Sequence, residues 1–449
     1  MRVDPGGGVS IGPVAHNQPI DQTKVTMAVR QAEMTVPLSG SNLADMLTNA
    51  DLNQAERDQI IQDLARQNGQ PMAFYANDVY RMHGSDFSSL RLDQSVIADA
   101  VQQAYADGAI NAQDLLHIAN FNPNQVGGAQ RFLDVLMQGD SATLQGSAAE
   151  GLANALWARN GNSGTDRAAA AIYYTSDPLI MANDLNTPAK RADAFEALVN
   201  FNQTAPYDNV PPGQLATAFK NEALAAEANL FVGNTQEIVQ DFTLRNASQT
   251  PNTQVLANFM SQTVFNPSAQ DIQLSDYSSL KNSMSDALAG VSKSLIGAAR
   301  QAPPGSLQEH YAIEQYGRLS AALSGGAALA LTNYDAQVQA NDATRQQWAD
   351  LVGGLVGNYV KIDTPLGNPA EKVASDLTSA IYNAIVPGPQ RPTAALADTL
   401  YDHYAQTVEQ LRTQPGQPPD LTSDFDSTYG ATLLQLQAQL NVNLGGHAN

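Results

Sequence analysis

The sequence predicts an all-α protein, built as a multi-helix bundle or an irregular α-solenoid, in two main helical domains after a flexible leader. Three observations predict it. Apolar residues recur three and four positions apart, whereas β-branched runs and strict alternation are scarce. Polar capping residues stand repeatedly before a proline, the signature of a helix start. The residue mix is rich in Ala, Leu, Gln and Asn, with 43% hydrophobic and only 15% charged residues over 449 positions. A chain of that length and composition can bury a core without staples.

The first 38 residues contain Gly6-Gly7-Gly8 and scattered prolines and read as a leader. No apolar core of a signal peptide stands in it. Residues 39–202 read as a first helical domain. Within it Ile60, Ile61 and Leu64 share a helix face, Met72 to Val79 suggests the next helix, and Val96, Ile97, Ala100, Val101 and Ala104 share another face. Phe195, Leu198 and Val199 repeat the pattern. A Pro/Gly cluster from Thr204 to Gly213 breaks helix and strand alike and marks a domain edge.

Residues 210–385 read as a second helical domain, with Leu377, Ile381 and Ile385 near its end and a second Pro/Gly cluster from Val386 to Pro392. Residues 392–449 read as a C-terminal helical pair or the start of a further region, with Leu400, Tyr404, Val408 and Leu411 on one face. Helix starts are expected at Asn122–Pro123, Asp177–Pro178, Thr187–Pro188, Thr250–Pro251, Asn266–Pro267 and Asn368–Pro369. Asn53 with Glu56 and Asn368 with Glu371 have capping-box spacing. The spacing of these starts is irregular, so no fixed repeat is expected.

Charge excludes some functions. Lys and Arg total 23 against 44 Asp and Glu, a formal net charge of -21. A nucleic-acid binder or a protein held on an anionic membrane needs a basic surface, and neither fits. The most apolar block, Leu319 to Leu331, is shorter than the roughly 20 residues a bilayer span needs and reads as a buried core helix. Leu351 to Val360 is a second short apolar block. No stable membrane span is expected.

Catalytic and metal motifs fail on spacing or context. Asp424, Asp426 and Thr428 spell the Asp-x-Asp-x-Thr string of an aspartyl phosphotransfer site, but Pro418–Pro419 precedes it instead of a strand, so a helix-capping turn is the reading. His310 and Glu314 lie one turn apart and read as a solvated surface pair. His403, beside Asp402 and one turn after Asp398, lacks a nucleophile to serve. Ser278 and Lys281 form a Ser-x-x-Lys string without its companion motifs. The Asn120–Asn124 run lacks the Gly and Glu of a calcium loop, and Asp107–Gly108 with Asn111 and Asp114 reads as a turn followed by a cap. Gly325–Gly326 and Gly353–Gly354, inside apolar helical runs, point to close helix approach. Catalytic residues stay unassigned, no cofactor or metal is expected, and the reading leans away from an enzyme. One patch stands out as an interaction candidate: Trp157, Arg159, Tyr173 and Tyr174 around a polar loop.

No cysteine occurs in the chain, which removes disulfides, thiolate metal sites and cysteine nucleophiles. The composition resembles that of helical regions of polymorphic toxins and injected effectors. That resemblance implies the helical region of a secreted bacterial effector or toxin, acting in virulence through delivery and protein–protein interaction. A secretion chaperone or a target protein would be its partner. The place would be outside the producing cell, reached by a specialised bacterial system, or otherwise the cytoplasm. Two alternatives remain open: a phage virion or assembly protein, and a hydrolase with an unrecognised site.

Overall fold

The computed structural model describes residues 19–34, 51–65, 98, 101–103, 105–108, 110–119, 128–138, 145–159, 164–204, 215–243, 252–264, 277–337, 400–402, 404–405, 407–409 and 421–440. Among the described residues every regular element is a helix, as the sequence predicts. No helix among them is long and apolar enough to cross a membrane. The chain forms two compact units. One is Met1–Tyr173 with Asn209–Phe219, the other Tyr174–Asp208 with Lys220–Asn449.

In the first unit, α1 (Gln22–Met34) packs on α2 (Gln54–Ala65), and α2 packs on α3 (Ala112–Ala119). The expected box at the start of α2 is formed. Glu56 N donates to Asn53 Oδ1 at 3.0 Å and Asn53 N donates to Glu56 Oε2 at 2.8 Å. The second carboxylate oxygen accepts from Asp21 N at 3.0 Å, so one Glu caps α2 and also ties down the entry to α1. Asp107 and Gly108 form a turn, with Gly108 at φ +70, a left-handed conformation that favours glycine. Asn111 then caps α3: its Oδ1 accepts from Gln113 N at 2.8 Å, and Asp114 reaches back to Asn111 N at 2.8 Å. The turn-plus-cap reading of this stretch therefore holds. Further along, α4 (Gly128–Leu136) and α5 (Ala148–Ala158) both pack on α3 and on each other.

α6 (Gly164–Thr175) lies in the first unit up to Tyr173, and the second unit continues with α7 (Pro178–Asp184) and α8 (Pro188–Thr204). Asp177 caps α7 by accepting from Leu179 N, with Pro178 at the first helical position. Thr187 accepts from Lys190 N at 3.3 Å ahead of Pro188. Both expected starts are met. The start expected at Pro251 is shifted: α10 begins at Thr253 with Asn252 before it, and Asn252 gives its side chain to Glu196 on α8 rather than to its own helix.

The long α9 (Leu215–Thr243) changes direction at Asn234, where φ -138 and ψ 28 leave the helical range. Asn234 and Thr235 use their side chains on the carbonyls one turn back, at 3.0 and 2.6 Å. Such back-bonding competes with the backbone ladder and bends helices. α10 (Thr253–Phe259) runs on into a π-turn, Met260–Val264. Phe195 of α8, Phe231 and Phe242 of α9 and Phe259 of α10 form one aromatic cluster, with the Phe231 and Phe259 ring centroids 4.5 Å apart. Phe195 anchors α8 on α9 and α10.

α11 (Tyr277–Gln301) and α12 (Leu307–Gln337) are joined by a tight turn over Ala302–Gly305, closed by Ser306 N donating to Pro303 O at 3.0 Å. α12 carries the core. Its residues from Tyr316 to Ala328 are all buried, against α10, the π-turn, α11 and α13 (Leu421–Leu440). The apolar block from Leu319 is thus a core helix. α13 runs alongside α12 in the same direction. Tyr316 meets Phe425 at a centroid distance of 5.8 Å, and further along Tyr429 Oη donates to Ser324 Oγ at 2.9 Å. Leu400, Tyr404 and Val408 are buried on one face, as their spacing predicts.

The stretches 72–79, 122–123, 266–267, 351–360, 368–371, 377–392 and His403 lie outside the described residues.

Candidate functional site

The interaction patch drawn from the sequence is split by burial. Trp157 is partly exposed near the end of α5, and Arg159, the residue that follows that helix, is exposed. Arg159 donates to Asp166 Oδ2 at 3.0 Å, and the Arg167 guanidinium lies 4.5 Å from the Trp157 ring centre. Burial pushes the Asp166 carboxyl above its usual range against the pull of Arg159. Trp157, Arg159, Asp166 and Arg167 thus form one bracket between α5 and α6. Tyr173 and Tyr174 are only 3% and 4% exposed, so these two rings are core and offer no contact surface.

The other candidates resolve into structural contacts. His310 and Glu314 share a face, yet each has its own partner. His310 Nδ1 meets Asp424 Oδ2 on α13, and Glu314 accepts from Arg318 at 2.8 Å. Asp424 and Asp426 lie within the first turns of α13, not in a turn before it, because the helix already begins at Leu421. Asp426 accepts from Tyr401 Oη at 2.9 Å. Ser278 and Lys281 fall in the first turns of α11. Among the described residues no group of three or more His, Asp and Glu is placed to hold a metal.

The distinctive site is a polar junction that sequence reasoning missed. Glu227 of α9 is fully buried, one turn from Phe231 and its aromatic cluster. Two elements donate to its carboxylate. Asn202 Nδ2 of α8 lies 2.8 Å from Oε2, and Thr263 Oγ1 of the π-turn donates to Oε1. Beside them, Asn258 Nδ2 of α10 donates to Gln203 Oε1 of α8 at 2.8 Å. Burial pushes the Glu227 carboxyl up to about 8, while the Thr263 and Asn202 hydrogen bonds and the Lys220 charge act to lower it. Asn202 Oδ1 and Asn258 Oδ1 are buried without a hydrogen-bond partner.

Chemically the junction can hold or release a proton, and through Asn202 and Thr263 it joins three elements by one side chain. The signal in the sequence was a lone acidic residue in the apolar run Ala223–Phe231. A charge there sits on the buried stripe of the helix, at the i, i+3 and i+4 positions. Nothing in the sequence marks Asn202 and Thr263 as its partners. No protein-family description, curated protein or solved structure matches the chain.

Proposed function

We propose that this chain is a helical region of a secreted bacterial effector or toxin, working through contact with a secretion chaperone or a target protein. The observation that carries the reading is the absence of cysteine from all 449 residues. A chain that travels from a reducing to an oxidising compartment, and must pass a narrow channel on the way, is harmed by any chance disulfide. A net charge of -21 supports the same reading, since it favours basic protein surfaces over nucleic acid and anionic lipid.

The test is export. The full chain, fused to a reporter enzyme, is expressed in a bacterium with an injection-type secretion apparatus. Reporter activity outside the producing cell, lost when the motor of that apparatus is deleted, is the expected result. Activity confined to the producer in both strains overturns the proposal. Sedimentation of the purified chain as one large closed assembly would favour a virion or assembly role instead.

A further inference from the structure

Glu227 raises a question of charge balance. The polar contacts it makes, with Asn202 Nδ2 and Thr263 Oγ1, suit a carboxylate, which only accepts. A buried carboxylate is also favoured by a cation beside it, because the interior solvates an unpaired charge far less well than water does. Among the described residues no cation forms an ion pair with Glu227, and Lys220 acts on it only as a charge without a hydrogen bond. α10 and its π-turn, Thr253 to Val264, contain no charged residue. On α8, Arg191 is held by Glu237 and the Leu185 carbonyl, Glu196 accepts from Asn252, and Lys190 and Asp193 are exposed. On α9, Lys220 and Glu222 stand about two and one and a half turns before Glu227, and Glu237 and Asp241 stand beyond the bend at Asn234. On α12, Arg318 is taken by the Thr243 carbonyl and Glu314, and His310 meets Asp424. On α11, Asp286, Lys293 and Arg300 are exposed.

One buried atom completes the picture in the other protonation state. Asn202 Oδ1 is buried with no partner, and it belongs to the same amide whose nitrogen touches Glu227. The two ends of an amide exchange places by a half-turn. That half-turn presents Oδ1 to the carboxyl, where it accepts the O–H of a neutral Glu227. Thr263 can keep donating to the other oxygen. A single proton then joins the carboxyl to the amide carbonyl oxygen, with the amide NH2 turned to the place that Oδ1 held.

We propose that Glu227 is protonated in the folded unit and that this proton latches the π-turn to α8 and α9, so that its loss opens the π-turn. The π-turn is the element that yields, because an i to i+5 turn is a rare interruption of α-helical bonding and it holds one of the two donors. Opening it brings water to an ionised Glu227 without dismantling the aromatic cluster.

The sign follows from linkage. The folded-state value lies near 8 and the ordinary value near 4.5, so between them the folded chain holds one proton more than the unfolded chain. Stability therefore falls as pH rises through that window, by about tenfold in the folding constant per pH unit. The experiment compares the full chain with Glu227→Gln, an uncharged isostere, by urea denaturation from about pH 5 to about pH 9. The variant is expected to gain on the native chain by about tenfold per unit up to about pH 8, with no further gain above it. In the native chain, and not in the variant, hydrogen exchange at Met260 to Val264 should speed up across the same range beyond its intrinsic pH dependence. Equal pH slopes in the two proteins overturn the proposal. If the variant does not fold, infrared spectroscopy of the native chain decides. A protonated-carboxyl carbonyl band that persists at neutral pH and fades above about pH 8 supports the latch, and a spectrum without it overturns the latch. One equivalent of a metal ion copurifying with the native chain and lost from the variant also overturns it.

Discussion

Gly326 of α12 touches Met260 of the π-turn through bare backbone. A Cβ at Gly326 would lie 2.5 Å from the Met260 Cβ and 2.8 Å from the Ala257 carbonyl oxygen. The neighbouring Gly325 is nearly as close to α13, with Leu436 Cδ1 at 3.1 Å. Adjacent glycines therefore let two different helices approach α12 on two faces, as their place in an apolar helical run suggests.

Gly326→Ala is expected to destabilise the chain by about 1–3 kcal/mol, since the obstructing atoms are a Cβ and a backbone carbonyl that cannot swing aside. Gly290 of α11 is the control. A Cβ there meets nothing within 4 Å, and the residue is exposed. Gly290→Ala is expected to stabilise by about 0.4–1 kcal/mol by removing freedom from the unfolded chain. Urea midpoints of the two variants should move in opposite directions. Equal shifts would mean that α12 and the π-turn are not in backbone contact.

A repeated cap starts two helices. Gly146-Ser147-x-x-Glu150 precedes α5 and Gly305-Ser306-x-x-Glu309 precedes α12. In each, the Ser oxygen accepts from the Glu backbone N–H, and the Glu carboxylate accepts from the Gly N–H, at 2.5 Å for Glu309. Both glycines have positive φ, +78 and +73, so both ends of the motif are constrained. Ser306→Ala is expected to cost about 0.5–2 kcal/mol. A double-mutant cycle of Ser306→Ala with Glu309→Gln should show coupling, because the two side chains close one ring of contacts. Strict additivity would count against the shared cap.

Arg318 ties α12 to the end of α9. Its NH1 donates to the Thr243 carbonyl at 2.7 Å and its NH2 to Glu314 at 2.8 Å, with the Arg side chain 8% exposed. Arg318→Ala should cost about 1.5–3 kcal/mol, the range for hydrogen bonds to a charged group. Arg318→Lys should recover only part of it, since one ammonium cannot reproduce the two-pronged geometry. Thermal melts of the pair against the native chain measure both. Full recovery by Lys would mean that charge alone matters there.

Tyr401 sets an alkaline limit. Burial first, then the hydrogen bond and charge of Asp426, hold its phenol up at about 12, above the ordinary value near 10. Between those values the folded chain keeps a proton that the unfolded chain has lost. The contribution is therefore complete below about pH 10 and disappears as pH rises toward about 12. Tyr401→Phe should flatten the fall in stability across that window. It should leave the profile near neutral pH parallel to that of the native chain. An unchanged alkaline slope in the variant would remove Tyr401 as its source.

The helical class, the starts at Asn53, Asn111, Asp177 and Thr187 and several apolar faces were legible in the sequence. The reason is that these are local matters. Capping acts over three residues, as at Asn53–Glu56 and Asn111–Asp114, and a face such as Leu400, Tyr404 and Val408 is set by the 3.6-residue period. Burial of the expected patch was not legible for the same reason. Trp157 and Arg159 sit where a helix ends, but whether Tyr173 and Tyr174 face solvent depends on packing that their own helix does not set.

Tertiary structure alone decided the rest. Glu227 meets Asn202 and Thr263 across separations of 25 and 36 residues. Phe195 draws α8 to α10, and His310 meets Asp424 across 114 residues. Such pairings are chosen by which surfaces exclude water together and which buried polar atoms find partners, and both are properties of the assembled core rather than of any segment. The sequence by itself determined that this protein is helical, acidic and free of cysteine. The fold determined that Glu227 stands inside the core between α8 and the π-turn, where the low dielectric makes its charge costly.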